Sequence, residues 1–250
     1  LCQFLDGNST IECDRLHTRS DQRGGLFRLT LENEGTVIVK VWRIRNLKER
    51  LKSIARLSNG WREWSMHRQV HQAGIFTPEP IGFFRFTTLT MGNVEAMVME
   101  DIGAVTKSLD LIKRLIADGD EAAVISIEDR MIDLTASLIK LNIIDIDHQL
   151  NNLVVDSAGK LIRIDFECAR KRLQCLRSKS ELAKMIARFL TGHIYAVQPD
   201  LYRTLHFAER LYKRIGINSS MKIKINNKVD ENMSSQLAHN GVDTKVKLPA

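Results

Sequence analysis

Asp147-His148-Gln149-Leu150-Asn151-Asn152-Leu153-Val154-Val155-Asp156-Ser157-Ala158-Gly159-Lys160-Leu161-Ile162-Arg163-Ile164-Asp165 is the stretch on which the reading of this chain turns. It sets a carboxylate, Asp147, five positions before a carboxamide, Asn152, and adds a second carboxylate, Asp165, thirteen further on. These are hard oxygen donors and proton acceptors, the groups that a divalent cation and a reacting hydroxyl require. Between them, Leu153–Val155 and Leu161–Ile164 are short apolar runs rich in branched residues, and Asp156–Lys160 separates them with a turn composition that includes Gly159. The pattern predicts a β-hairpin, which would put Asn152 and Asp165 at adjacent ends of the strand pair.

An Asp, an Asn five residues later, a strand pair and then Asp165-Phe166-Glu167 resembles the protein-kinase-like superfamily, whose catalytic loop and D-F-G motif share this spacing. The resemblance implies an α+β, two-lobed fold with a β-rich N-lobe and a mainly helical C-lobe. It also directs attention upstream. Val37-Ile38-Val39-Lys40-Val41 carries one cation in an apolar, β-branched run. Alone, such a lysine is equally an edge-strand gatekeeper; in the family it is the V-A-I-K lysine that meets nucleotide phosphates. Glu63 then corresponds to the helix glutamate that holds that lysine. Set among Trp61, Trp64 and Met66, an unpaired carboxylate would be costly, and Lys40 is its natural partner. Gly24-Gly25, fifteen residues before Lys40, stands where the family has its glycine-rich phosphate cover, without the full G-x-G-x-x-G.

Around these points the chain divides into expected elements. Ile11–Leu16, Leu26–Leu31, Thr36–Trp42, Phe83–Thr88 and Val94–Met99 read as strands, the second and third joined by a turn at Glu32–Gly35. Leu47–Ala73 reads as two helices broken at Ser58-Asn59-Gly60, and Pro78 and Pro80 force the following segment to be extended. Glu100–Gly103 is the connector that a kinase would use to meet adenine. Helices are expected over Ser108–Asp118, Ser126–Leu141 (capped by Ser126 and Asp129), Ser180–Leu190 and Tyr202–Ile215. Residues 1–101 are the expected N-lobe, 102–216 the C-lobe, and 217–250, polar and without period, a disordered tail.

The 250 residues are 44% hydrophobic, ample for a core, and no run reaches the length needed to span a bilayer. The start of the chain has no basic-then-apolar leader, so a cytoplasmic protein is expected. Cys2, Cys13, Cys168 and Cys175 have no C-x-x-C spacing, which argues against a zinc site or a disulfide framework. Of the net charge of +7, most is local: Arg43–Arg68 holds eight cations against Glu49 and Glu63. That segment is either a solvated helical face or a surface for phosphate-rich partners.

More narrowly, the chain resembles the lipopolysaccharide kinase family, the bacterial Kdo and heptose kinases that phosphorylate core sugars. The resemblance lies in R-E-W-S-M-H-R-Q-V-H-Q-A-G-I-F-T-P-E-P-I-G-F at Arg62–Phe83, D-I-D-H-Q-L-N-N at Asp145–Asn152 and I-D-F-E-C-A-R at Ile164–Arg170. Two positions depart from the kinase pattern: Asp145 replaces the His of H-x-D and cannot donate a hydrogen bond at neutral pH, and Glu167 replaces the Gly of D-F-G. D-F-E resembles the aminoglycoside and choline phosphotransferases, and no A-P-E follows to build a peptide platform. The resemblance thus implies a phosphotransferase using ATP and Mg2+, with Asp147 as catalytic base, Asn152 and Asp165 on the metal, and Lys40, Glu63, Gly24 and Gly25 at the nucleotide. Its acceptor would be a sugar or glycolipid hydroxyl, with peripheral contact to an anionic membrane and no nucleic-acid partner. Another small-molecule kinase and a catalytically silent kinase-like binding module are the alternatives.

Overall fold

The computed structural model describes residues 13–18, 24–31, 35–88, 92–172 and 178–240. The chain forms two compact units, Leu1–Gly103 together with Asp165–Glu167, and Ala104–Ile164 together with Cys168–Ala250.

The first unit is built on an antiparallel five-stranded sheet of β1 (Cys13–Thr18), β2 (Gly24–Leu31), β3 (Gly35–Arg43), β4 (Pro80–Thr88) and β5 (Gly92–Glu100), in the order β1-β2-β3-β5-β4. The expected strands are all present, each with slightly shifted ends. Ile11, and the turn residues 32–34, lie outside the described residues, but Leu31 pairs with Gly35 directly across that turn. Alternation along β3 sorts its side chains. Val37, Val39 and Val41 join Phe27, Leu29, Val94 and Ala96 in one apolar cluster, whereas Ile38 and Trp42 join Met97, Met99, Trp64 and Phe83 in another. Lys40 shares the parity of Ile38 and Trp42, so it is presented toward the helix that carries Trp64.

That helix is α2 (Asn59–Gln72), preceded by the short α1 (Leu47–Ile54); the expected break between them is where Ser58 caps α2, its Oγ accepting from Trp61 N at 3.2 Å. Buried Glu95 of β5 fixes both helices. Its carboxylate accepts from Ser53 Oγ of α1 at 2.5 Å and from Ser58 Oγ at 2.8 Å, and meets Arg85 Nε at 3.3 Å. Gly60 is there because a Cβ would stand 2.7 Å from Glu95 and 2.9 Å from the Trp42 ring.

The second unit comprises β6 (Val105–Lys107), α3 (Ser108–Ala117), α4 (Glu121–Lys140), β7 (Ile143–Asp145), a 3-10 turn (Leu150–Asn152), β8 (Leu153–Asp156), β9 (Leu161–Arg163), β10 (Ala169–Lys171), α5 (Lys179–Val197), α6 (Leu201–Ile215) and α7 (Ser219–Asn240). The strands form two small sheets, β6-β8-β9 and β10-β7. The expected hairpin is β8 and β9, with Leu153 opposite Arg163 and Val155 opposite Leu161.

Two expectations are corrected. The long helix begins at Glu121, not Ser126, and its cap is Asp120, which accepts from Ala123 N at 3.0 Å. Gly119, at φ 71, ends the preceding helix and releases Asp120 for this role; Asp129 instead pairs with Arg210 at 2.6 Å. The polar C-terminal stretch expected to be disordered is helical from Ser219 to Asn240. Met221, Ile225, Val229 and Met233 recur every fourth residue and are all buried, and Asn232 donates to Thr191 of α5 at 3.3 Å. One buried apolar residue per turn packs this helix, and so dilute a stripe does not stand out in a polar composition. Residues 241–250 of the expected tail lie outside the described residues.

Candidate active site

In the first unit, β3 and α2 bring the expected pair together. Lys40 Nζ donates to both Glu63 oxygens, at 2.7 and 2.9 Å, and to Asp165 Oδ1 at 3.3 Å. Glu63 is buried, and burial pushes its carboxyl up to about 7 while the Lys40 charge pulls the other way. Burial also works against the Lys40 charge, but Glu63 and then Asp165 outweigh it and hold the ammonium above its ordinary range. A cation fixed among carboxylates in this way is a rigid point charge for an anionic ligand.

Asp165 has φ 61, in the left-handed region that Asp tolerates better than most residues. Its Oδ1 also accepts the backbone N–H of Glu167 at 3.1 Å. Phe166 between them is fully buried, edge-on to the His67 ring at 5.2 Å. His67 lies one turn beyond Glu63 on α2, and its Nε2 donates to the Pro78 carbonyl at 2.9 Å, with Thr77 Oγ1 at 2.6 Å. Burial lowers its pKa to about 4, so it is neutral at physiological pH. His67 lies inside the family-like phrase, but nothing in sequence spacing singled it out. The carboxylate oxygens of Glu63, Asp165 and Glu167 all lie within 4.8 Å of one another, a hard-oxygen donor set of the kind that Mg2+ takes.

Gly24 and Gly25 open β2, opposite Trp42 and Val41. At Gly24 (φ 152) a Cβ would fall 1.8 Å from the Val41 carbonyl oxygen, so the close approach of β3 already requires glycine there. The expected connector is anchored: Asp101 accepts from Arg28 Nε at 2.6 Å and Nη2 at 3.2 Å, and from Gly103 N at 3.0 Å.

In the second unit, the loop from Asp145 to Asn152 is held from beneath. Asp145 cannot donate, and the donor comes from elsewhere. Fully buried Arg163 pairs with Asp145 Oδ2, and Asp145 Oδ1 accepts the Asp147 backbone N–H at 3.0 Å. Arg163 also donates to the Asn152 carbonyl at 3.0 Å, so one guanidinium ties both ends of the loop. His148, fully buried, has its Nε2 2.9 Å from Thr135 Oγ1, and that hydroxyl donates to the Met131 carbonyl at 2.8 Å. The imidazole therefore donates to Thr135 and pins the loop to α4.

Asp147 itself is partly exposed, with Arg188 Nε of α5 3.7 Å from its Oδ1. Asn152 Nδ2 donates to the Asp147 carbonyl at 3.1 Å and to Asp147 Oδ2 at 3.4 Å. These bonds use the carboxamide nitrogen, not the oxygen that a cation would take. Arg163, His148 and Arg188 were not recognised from sequence. A charge inside a strand as apolar as Leu161–Ile164 was the available signal for Arg163, since a buried cation demands a buried anion.

The antiparallel sheet with its lysine–glutamate pair, followed by a mainly helical unit, defines a protein-kinase-like fold. Among solved structures, the chain is similar to that of WaaP in complex with acyl carrier protein, with a TM-score of 0.52 and 16% identity over 85% of this chain and 86% of that one. At such identity the likeness carries the fold alone. No family model matches the chain, and no curated protein matches it.

Proposed function

We propose that this chain is an ATP-dependent phosphotransferase that phosphorylates a sugar hydroxyl, with the core of a lipopolysaccharide-type glycolipid as the acceptor. The reading rests above all on Lys40, held by Glu63 at 2.7 Å and within 3.3 Å of Asp165. This arrangement has a use if an anionic phosphate and a cation are handled at Lys40 and Asp165. Lys40 would orient the α- and β-phosphates of ATP, and the backbone at Gly24 and Gly25 would lie along them. Asp165 and Asn152 would hold magnesium, to which Glu167 offers a further oxygen; the ion supplies neutralisation of phosphate charge. Asp147 would orient the acceptor hydroxyl and take its proton. Phosphoryl transfer depends chiefly on positioning and charge neutralisation, which fits the effort spent on fixing these groups.

The absence of an A-P-E segment favours a small acceptor over a peptide. Arg188 beside Asp147 suits an acceptor that itself bears negative charge. The fold shared with WaaP is kinase-like, and the basic segment from Arg43 would bring the enzyme to the anionic inner face of the cytoplasmic membrane.

The test is incubation of the protein with γ-labelled ATP, Mg2+ and purified lipopolysaccharide core. Label on the sugar that disappears with Asp147→Asn supports the reading. Transfer only to aminoglycosides or choline would move the assignment to another small-molecule kinase. Thermal stabilisation by ATP without turnover on any acceptor would leave a silent nucleotide-binding module.

A further inference from the structure

Helix α1 is amphipathic the wrong way round for a helix that packs on a sheet. Its attachment to the body is polar: Ser53 is buried and donates to buried Glu95, and Asn46 caps the first turn by accepting from Glu49 N at 2.9 Å. Its apolar residues are exposed to solvent, Ile54 at the mouth of a cavity it shares with Arg85 and Phe86. Leu47, Leu51 and Ile54, at the i, i+4 and i+7 spacing that makes one helical stripe, are 70%, 59% and 75% exposed, and Leu57 just beyond is 63% exposed. Lys48 flanks the stripe on one side, Arg50 on the other, and Arg45, Lys52 and Arg56 surround it; all are exposed.

We propose that α1 and the turn after it form an interfacial anchor that inserts its leucine and isoleucine side chains into the headgroup boundary of an anionic lipid bilayer. The purpose of this contact rests on the glycolipid-acceptor reading above, but the contact itself does not. An exposed aliphatic stripe bordered by Lys and Arg is the composition of helices that lie in a membrane interface, where apolar burial and attraction to anionic lipid add. An acidic protein partner would satisfy the charges equally. However, the stripe is aliphatic and set on a convex helix, without the aromatic anchors around which protein interfaces concentrate their affinity. Among the described residues, no helix is long and apolar enough to cross a membrane, so contact of this kind would be peripheral.

Co-sedimentation with vesicles of phosphatidylcholine and phosphatidylglycerol, in low salt and without ATP or acceptor, tests it. The wild type should partition onto these vesicles and not onto pure phosphatidylcholine. Leu51→Glu with Ile54→Glu should weaken partitioning at least tenfold at unchanged Tm, because both side chains are already in solvent. Lys48→Gln with Lys52→Gln should weaken it less, with a shallower salt dependence. Asp147→Asn should bind as the wild type does, which separates this contact from the kinase reading: vesicle binding can persist where transfer fails, and the reverse. No vesicle binding by the wild type, or binding untouched by the Leu51 and Ile54 changes, overturns the proposal. So does a dimer in light scattering that the same double change converts to monomer, or saturable binding of an acidic protein in place of vesicles.

Discussion

Arg163 and Asp145, both buried, form an ion pair beneath the loop that carries Asp147. Arg163 supplies the hydrogen-bond donor that Asp145 cannot be, so the two residues support the loop only as a pair. Burying two charges is costly, and breaking such a pair by removing one partner costs about 3–5 kcal/mol because the other is left uncompensated. Asp145→His should therefore damage this protein. The expected result is a loss of stability of that order in urea unfolding, together with loss of activity, and Arg163→Met should behave similarly. An Asp145→His variant as stable as the wild type would mean that the pair does not support the loop.

Acid should weaken the fold, and one carboxylate should moderate the loss. His67 titrates near 4 because it is buried, and burial also lowers the pKa values of His148 and His193. A group whose folded pKa lies below its unfolded value binds fewer protons when folded. Its stabilisation is present above about 6.5 and is lost as pH falls toward the folded value, by about 3 kcal/mol for a shift of the size seen at His67. Glu63, raised to about 7, has the opposite sign: its contribution is present below about 4.5 and is lost as pH rises through 7. Urea midpoints measured from pH 7.5 to 5 should fall, and fall more steeply in Glu63→Gln, which lacks the compensating group. A shallower fall in that variant would reverse the assignment.

The last helix offers a direct contrast with the disorder expected from its composition. Ile225 is fully buried, and removing a buried isoleucine side chain costs about 2–5 kcal/mol. Ile225→Ala should lower stability by that amount, whereas exposed Ile223 on the same helix, changed to Ala, should alter it by less than about 0.5 kcal/mol. Equal, negligible effects at both positions would restore the disordered tail.

What could be read in the sequence followed from local chemistry. The strands around Lys40 and the hairpin of Leu153 and Leu161 rest on short periods, whereas the Lys40–Glu63 partnership, across twenty-three positions, rests on the kinase resemblance together with the cost of burying a lone carboxylate. The remainder had neither a local period nor a family motif to point to it. Arg163 reaches Asp145 across eighteen positions and Arg188 reaches Asp147 across forty-one, so no spacing rule connects them. Helix α1 is opaque for another reason. Its Leu47-Leu51-Ile54 stripe looks like any helix that packs a core, and only the polar attachment through Ser53 and Glu95 turns it outward.

Asp165 allows a test in which fold and function are separable. Its φ of 61 would burden an alanine with about 1–2 kcal/mol of left-handed strain, whereas asparagine tolerates that region nearly as well as aspartate. Asp165→Asn is therefore the informative change. It keeps the backbone and removes only the charge that meets Lys40 and would meet magnesium. If Asp165 is a metal ligand, this variant should bind ATP at least tenfold more weakly in the presence of Mg2+, while its affinity for ATP in EDTA stays within about twofold, since about 1.4 kcal/mol of lost interaction corresponds to each factor of ten. Glu167→Gln should follow the same pattern with a smaller loss if its carboxylate, within 4.8 Å of Asp165, also reaches the ion. Calorimetric titration with and without the metal reads both, and an equal loss in the two conditions would remove Asp165 from the metal site.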